Sequence, residues 1–208
     1  MGKAADLILL NIIFLICCLP VVTIGASVTA MYYVTLKMVR NEESYISRSF
    51  FQSFRQNFRQ ATGIWLILLA GGTVLWLDFQ IMEQAGSGGI FQAVYLGLCF
   101  ILLIYGMISA YIFPLLAKFD NTVKNTFKNS LLMSIRHLPY TILLLLITYV
   151  PMFLTLNYGV VLVYGAVVWL AAGFALTAFI NSHIYMRIYK NYIPEEAQEN
   201  DSEWTLGE

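Results

Sequence analysis

Residues 137–186 have the sequence HLPYTILLLLITYVPMFLTLNYGVVLVYGAVVWLAAGFALTAFINSHIYM, a stretch of 50 residues without a single Asp, Glu, Lys or Arg. Three further uncharged stretches precede it, at residues 7–36, 60–77 and 84–117. A helix needs about 20 mainly apolar residues to cross a bilayer, because each residue rises only about 1.5 Å along the axis. The longest stretch therefore has room for two crossings. The sequence predicts an all-α, polytopic transmembrane helix bundle with about five spans.

The composition agrees with a membrane protein. Apolar residues make up 59% of the 208 residues and charged residues only 12%, whereas about 25% of an ordinary soluble domain is charged. The net charge of zero conceals an asymmetry, since residues 195–208 contain six acidic residues and no Lys or Arg. We expect one transmembrane domain over residues 1–190, followed by an acidic, disordered cytoplasmic tail over residues 191–208.

The first predicted span contains an interruption. Pro20 lacks a backbone N–H and disfavours helix at the residue before it, and Gly25 loosens the chain further. We favour one kinked crossing here; the alternative is a hairpin that enters the membrane and returns. The hydroxyls of Thr23 and Ser27 are placed to satisfy freed backbone groups, so this segment is the candidate functional segment. The predicted spans are residues 7–36, 61–77, 90–113, 138–154 and 160–185.

Lys and Arg occupy alternate connections between these spans. Residues 37–60 contain five and residues 118–136 contain four, whereas residues 78–89 and 155–159 contain none. Basic loops of multi-pass proteins stay in the cytoplasm. We therefore expect a multi-pass protein of the cell membrane with its C-terminus in the cytoplasm. A single crossing by residues 7–36 would place the N-terminus outside, and a hairpin would place it inside.

The basic linker at residues 48–60 has the pattern of an amphipathic helix. Three phenylalanines recur at spacings of three and four, and three arginines form a neighbouring stripe. Such a helix either lies in the membrane interface, with its rings in the acyl boundary and its guanidiniums toward anionic headgroups, or packs on the other spans. A juxtamembrane arginine cluster does not indicate nucleic-acid binding. The residues of this interfacial linker are Arg48, Phe51, Phe54, Arg55, Phe58 and Arg59.

Nothing in the sequence predicts a catalytic, cofactor-binding or metal site. Cys17, Cys18 and Cys99 lie inside apolar runs without a CxxC spacing, as buried small hydrophobes do. His137 and His183 have no neighbour in the sequence suited to a catalytic triad or a metal site. A glycine-rich phosphate-binding loop is missing as well. We therefore expect that the protein is not an enzyme.

Polar and small residues at membrane depth predict contacts between helices. Asn11, Ser109 and Asn181 either hydrogen-bond between spans or line a path for a solute. Small residues recur at helical spacing in the last span, where they let helices approach closely. This stripe faces either the other spans of the chain or a partner helix, including one from a second copy. Its members are Ala171, Ala175, Ala178 and Ser182.

The first sixty residues also carry a family resemblance. Residues 19–27 are LPVVTIGAS and residues 29–33 are TAMYY; residues 42–46 are EESYI and residues 49–58 are SFFQSFRQNF. This combination resembles the YesL family of Gram-positive bacterial membrane proteins, most specifically over residues 11–62 and more loosely to about residue 188. Members of that family are uncharacterised, so no activity or catalytic residues carry over.

Members of the YesL family are often encoded beside carbohydrate ABC importers and polysaccharide-degrading enzymes. The resemblance thus implies, by association only, a bacterial cytoplasmic-membrane protein with a non-enzymatic accessory or regulatory role in carbohydrate uptake. The implied partners are the lipid bilayer and the permease of a carbohydrate ABC transporter. The alternative is a small-solute transporter or permease-like subunit, which the interrupted first span would suit.

Overall fold

The computed structural model describes residues 2–42, 45–84 and 88–192 of the chain. Within these ranges all regular secondary structure is helical, which confirms the predicted all-α class. The predicted acidic tail lies outside the described residues from residue 193 onward. The helices are α1 (Lys3–Cys18), α2 (Ile24–Val39), α3 (Ile46–Gln84), α4 (Gly89–Lys118), α5 (Val123–Arg136), α6 (Leu138–Asn157), α7 (Gly159–Val168) and α8 (Phe174–Tyr189), with a 3₁₀ turn at Val21–Thr23 and a π-helical turn at Trp169–Gly173.

Five helical segments among the described residues are long and apolar enough to cross a membrane. This finding confirms a multi-pass membrane protein with about five spans. The first segment begins later than predicted, because α1 and α2 are separate helices. The segments are Val21–Val39, Ile46–Gln84, Gly89–Lys118, Leu138–Asn157 and Tyr164–Tyr189.

The N-terminal apolar stretch folds back on itself. Helix α1 ends at Cys18, just before Pro20, whose backbone is extended (φ −77°, ψ 117°). The ammonium of Lys3, at the start of α1, donates a 2.9 Å hydrogen bond to the side-chain oxygen of Asn41, just beyond α2. Residues 7–36 are therefore a helical hairpin and not the single kinked crossing that we favoured. The proline ends one helix, and the chain then reverses instead of continuing along the same axis.

Helix α3 joins the basic linker to the second span without a break. Its 39 residues are about 58 Å long at 1.5 Å per residue, so the predicted span at residues 61–77 is only part of it. The hairpin packs on α3 so closely that a Cβ at Gly25 would lie 2.5 Å from the carbonyl oxygen of Ala61. Residues 48–60 thus lie near the start of one long helix and do not form a helix of their own.

Several connections meet at one end of the bundle, which we call the basic end. The side chain of Gln60 hydrogen-bonds the carbonyl of Asn121, and the ring centroids of Phe119 and Tyr189 are 5.3 Å apart. Helices α4 and α8 run parallel and finish here, since the hydroxyl of Tyr185 also donates to the carbonyl of Ala110. Helix α5 and the start of α6 complete this end.

The small-residue stripe of α8 faces the chain's own hairpin. Ala175, Ala178 and Ser182 are buried, and the hydroxyls of Ser182 and Thr35 are 2.8 Å apart. Only Ala171 is exposed. The sequence left open whether this stripe packs on the chain's own spans or on a partner helix. In the structure it packs on the chain's own α1 and α2.

Candidate functional site

The candidate segment at the hairpin turn uses its hydroxyls within the hairpin. Thr23 Oγ1 lies 2.6 Å from the carbonyl oxygen of Cys17 and 2.7 Å from that of Pro20. The carbonyl of Cys17 is one of the last four of α1, which lack partners within the helix. Ser27 donates to the carbonyl of Thr23 at 3.0 Å. Pro20 is exposed, whereas Gly25 and Ser27 are buried, so the segment serves mainly to close and dock the turn.

Trp65 on α3 holds the tip of the hairpin. Its indole N–H donates a 2.8 Å hydrogen bond to the carbonyl oxygen of Val21. A Cβ at Gly25 would lie 2.6 Å from the Cβ of the same tryptophan, so glycine alone permits this approach. No pattern in the sequence indicates this role of Trp65, because its partner is a backbone carbonyl 44 residues away.

A buried asparagine joins the hairpin to the π-helical turn. The Asn11 amide donates to the carbonyl oxygens of Trp169 and Leu170 at 3.0 and 2.9 Å, and its Oδ1 accepts from the backbone N–H of Ala175 at 3.1 Å. Asn11 is fully buried. A π-helical turn disturbs the regular i→i−4 pattern, and Asn11 bonds the backbone groups of that turn. We call this arrangement the Asn11 clamp. The predicted hydrogen bond between helices is confirmed at this residue.

The phenylalanines of the basic linker point in two directions. Phe50 is fully buried and Phe54 is half-buried, and their ring centroids are 6.1 Å apart. Phe51 and Phe58 are exposed. Residues four apart share one face of a helix, whereas neighbouring residues lie about 100° apart. The predicted single apolar face is therefore split into an inner pair and an outer pair.

The arginines of the linker lie beside the outer phenylalanines. At helical spacing Arg55 shares a face with Phe51 and Phe58, and Arg48 and Arg59 flank that face. All three arginines are exposed. We call this surface the α3 face; it consists of Arg48, Phe51, Arg55, Phe58 and Arg59.

A band of polar side chains connects the spans inside the bundle. Asn181 Nδ2 donates to Thr148 Oγ1 at 2.9 Å, so this predicted contact between helices is also confirmed. Among the described residues, the Asn181 Oδ1 atom and the Tyr189 hydroxyl are buried without a hydrogen-bond partner. A second buried pair belongs to the band, Tyr111 with Thr141 at 3.0 Å. At the exposed edge of the bundle, the hydroxyls of Ser109 and Tyr149 are 2.9 Å apart.

The two histidines take part in separate local contacts. His137 Nε2 lies 3.1 Å from the Tyr192 hydroxyl, and His183 Nδ1 lies 3.0 Å from the carbonyl oxygen of Phe179. In the described part of the chain, no three His, Cys, Asp or Glu side chains are grouped closely enough to hold a metal ion.

One comparison with known proteins gives a match. Residues 7–79 match the model of a family described as Protein of unknown function, DUF624. The match covers the hairpin and most of α3, about a third of the chain. It relates this part of the chain to an uncharacterised domain family. No curated protein and no solved structure matches the chain.

Proposed function

We propose that this protein is a non-enzymatic accessory or regulatory partner of a carbohydrate uptake system in the bacterial cytoplasmic membrane. The observation that carries the proposal is the α3 face, which presents Phe51, Arg55 and Phe58 on the exposed side of a helix. The inner side of the same helix is packed through Phe50 on the hairpin. Function would thus lie in contact with another membrane protein.

The composition of the α3 face suits a protein interface. Aromatic residues and arginine are enriched at interfaces and among the residues that dominate their affinity. A rigid helix also loses little conformational freedom on binding. Because the close contact of Gly25 with Ala61 fixes α3 against the hairpin, the α3 face is already in its binding conformation.

Two arguments supply the orientation and the partner. Residues 37–60 and 118–136 contain nine Lys and Arg residues, whereas residues 78–89 and 155–159 contain none. By the positive-inside rule, this asymmetry favours a cytoplasmic position for the basic end. The resemblance to the YesL family supports carbohydrate uptake, and an ABC transporter permease is the partner we infer.

The test is a pull-down of the tagged protein from its native membrane in a gentle detergent, with mass spectrometry of the recovered proteins. We expect a carbohydrate-transporter membrane subunit in stoichiometric amount. The double variant Arg55→Glu/Arg59→Glu should lose this subunit. A matched control is Lys124→Glu/Lys128→Glu, which makes the same change of charge on the exposed side of α5 and should retain it.

Two results would overturn the proposal. One is recovery of the protein alone, together with unchanged carbohydrate uptake in a deletion strain. The other is equal loss of the partner in both charge-reversed variants, because attraction would then depend on overall charge and not on the α3 face.

A small-solute transporter or permease-like subunit is the second candidate. The buried polar band favours it, since Asn181 Oδ1 and the Tyr189 hydroxyl have unused hydrogen-bonding capacity. Solute flux in sealed vesicles that is lost in Asn181→Leu, with folding retained, would support this function. Vesicles that show no flux with any tested sugar or amino acid would count against it.

A further inference from the structure

A cavity of about 380 Å³ opens at the basic end, between the end of α4, helix α5 and the residues after α8. Its lining is apolar at the floor and polar at the rim. Leu115 and Met133 are buried and give an apolar floor. Asn121, Asn129 and Arg136 give a polar rim. The cavity lies on a different element from the α3 face.

Arg136 is held at the rim by an aromatic ring. Its guanidinium carbon lies 5.5 Å from the ring centroid of Tyr192, whose hydroxyl lies 3.1 Å from His137 Nε2. Among the residues that the structure describes, Arg136 has no carboxylate partner. A guanidinium stacked on a ring keeps its fork of N–H donors available for an anion.

The surroundings of the cavity match the boundary of a membrane. Leu132 and Ile135 on α5 are 53% and 52% exposed, while Lys124 and Lys128 on the same helix are also exposed. A helix with exposed apolar and basic side chains next to membrane spans suits the headgroup region. Basic pockets between spans on the cytoplasmic side are known to bind anionic headgroups.

We propose that this cavity binds an anionic phospholipid. The lipid phosphate would accept hydrogen bonds from Arg136 and from the amide groups of Asn121 and Asn129. The glycerol and the upper acyl chain would contact the apolar floor and Leu132. A phospholipid fits better than a soluble anion because the cavity joins a cationic rim to exposed apolar surface.

The test titrates the purified full chain with phosphatidylglycerol or phosphatidylcholine and counts bound lipid by native mass spectrometry. We expect saturable binding of one phosphatidylglycerol and none of phosphatidylcholine. Arg136→Gln should weaken phosphatidylglycerol binding roughly tenfold, since charge-assisted hydrogen bonds are lost, and Arg136→Lys should restore part of the affinity. Asn129→Phe fills the cavity without changing the charge and should also abolish binding.

Lys128→Gln is the matched control, because it removes one positive charge beside Asn129 but does not line the cavity. Equal loss in this variant would overturn the proposal in favour of diffuse attraction. Equal binding of glycerol 3-phosphate would overturn it in favour of a small-anion site. Phosphatidylglycerol binding that appears only after removal of residues 193–208 would show that the acidic tail fills the cavity, and would also overturn it.

Discussion

Two helical hairpins of the protein differ in how they pack. The first is α1–α2, and the second is formed by α6 and α7. About half of the Val21–Val39 segment is buried within the protein, against 11% of the Leu138–Asn157 segment. The Leu138–Asn157 segment nevertheless has a higher mean hydropathy than the Val21–Val39 segment. Hydropathy therefore indicates which residues lie in the membrane but not which of them pack against other helices.

Side-chain size explains the difference between the hairpins. Helix α2 has a run of small buried residues at Gly25, Ala26, Ser27, Thr29 and Ala30, which lets its backbone approach α3. Between helices in lipid, association depends on close packing and hydrogen bonds, because lipid chains are as apolar as leucine. Helix α6 consists largely of leucine and other large residues and has few buried positions. The α1–α2 hairpin is thus the packed centre of the fold, and α6 of the second hairpin lies at its periphery.

The largest expected effect comes from filling the closest contact of the first hairpin. Gly25→Ala would place a Cβ 2.5 Å from the Ala61 carbonyl oxygen and 2.6 Å from the Trp65 Cβ. Overpacking against backbone should lower the free energy of unfolding by about 3 kcal/mol. The measurement is thermal unfolding in detergent. Gly63→Ala is the control, since nothing lies within 4 Å of its Cβ position, and it should be neutral or stabilising.

The next effect tests whether the second hairpin has any packed position. Leu144 on α6 is fully buried, whereas its neighbour Leu143 is 45% exposed. Leu144→Ala should lower the free energy of unfolding by about 2 kcal/mol, at the low end for a core leucine, because the unfolded chain in detergent also keeps leucine out of water. Leu143→Ala should change it by less than about 0.5 kcal/mol. A loss of about 2 kcal/mol in Leu143→Ala as well would contradict the assignment of α6 to the periphery.

The third effect concerns the contact of α1, in the first hairpin, with the π-helical turn and α8, which follow the second hairpin. Asn11→Leu removes two hydrogen bonds to the π-helical turn and one from the backbone N–H of Ala175 in α8. At roughly 0.6 kcal/mol for each hydrogen bond in a membrane protein, the total loss is about 2 kcal/mol. Hydrogen exchange at residues 169–175 should accelerate selectively. In Asn157→Leu, which removes an exposed bond to the Phe153 carbonyl, exchange at those residues should not change.

The overall architecture could be predicted because the bilayer imposes it. A helix of about 20 apolar residues crosses the bilayer with all its backbone groups bonded within the segment, so the uncharged stretches identified the spans. The course of residues 7–36 could not be predicted, because Pro20 ends a helix equally well in a kink or in a reversal. The outcome depends on partners that are distant in the sequence. Asn11 binds backbone groups about 160 residues away, and backbone carbonyls have no signature in a sequence.

For the candidate residues as well, contacts that are local in the sequence could be predicted, whereas packing against distant residues could not. The sequence indicated that Thr23 would satisfy a freed carbonyl, because a short hydroxyl side chain reaches backbone groups near it in the chain. For the phenylalanines of residues 48–60, the spacing indicated an apolar face but not which ring would be covered. Phe50 is the most deeply buried of them. The hairpin determines this by packing on one side of α3.

The smallest effect separates a hydroxyl that closes the hairpin from one that only bonds its own helix. Thr23→Val removes the donor to the carbonyls of Cys17 and Pro20 and should lower the free energy of unfolding by about 1 kcal/mol. Thr73→Val is the matched control: its hydroxyl bonds the Leu69 and Ala70 carbonyls on an exposed part of α3, which belong to a regular helix. We expect almost no change there in thermal unfolding. A Thr23 effect as small as that of Thr73 would show that Pro20 and the Gly25 contact close the turn without the hydroxyl.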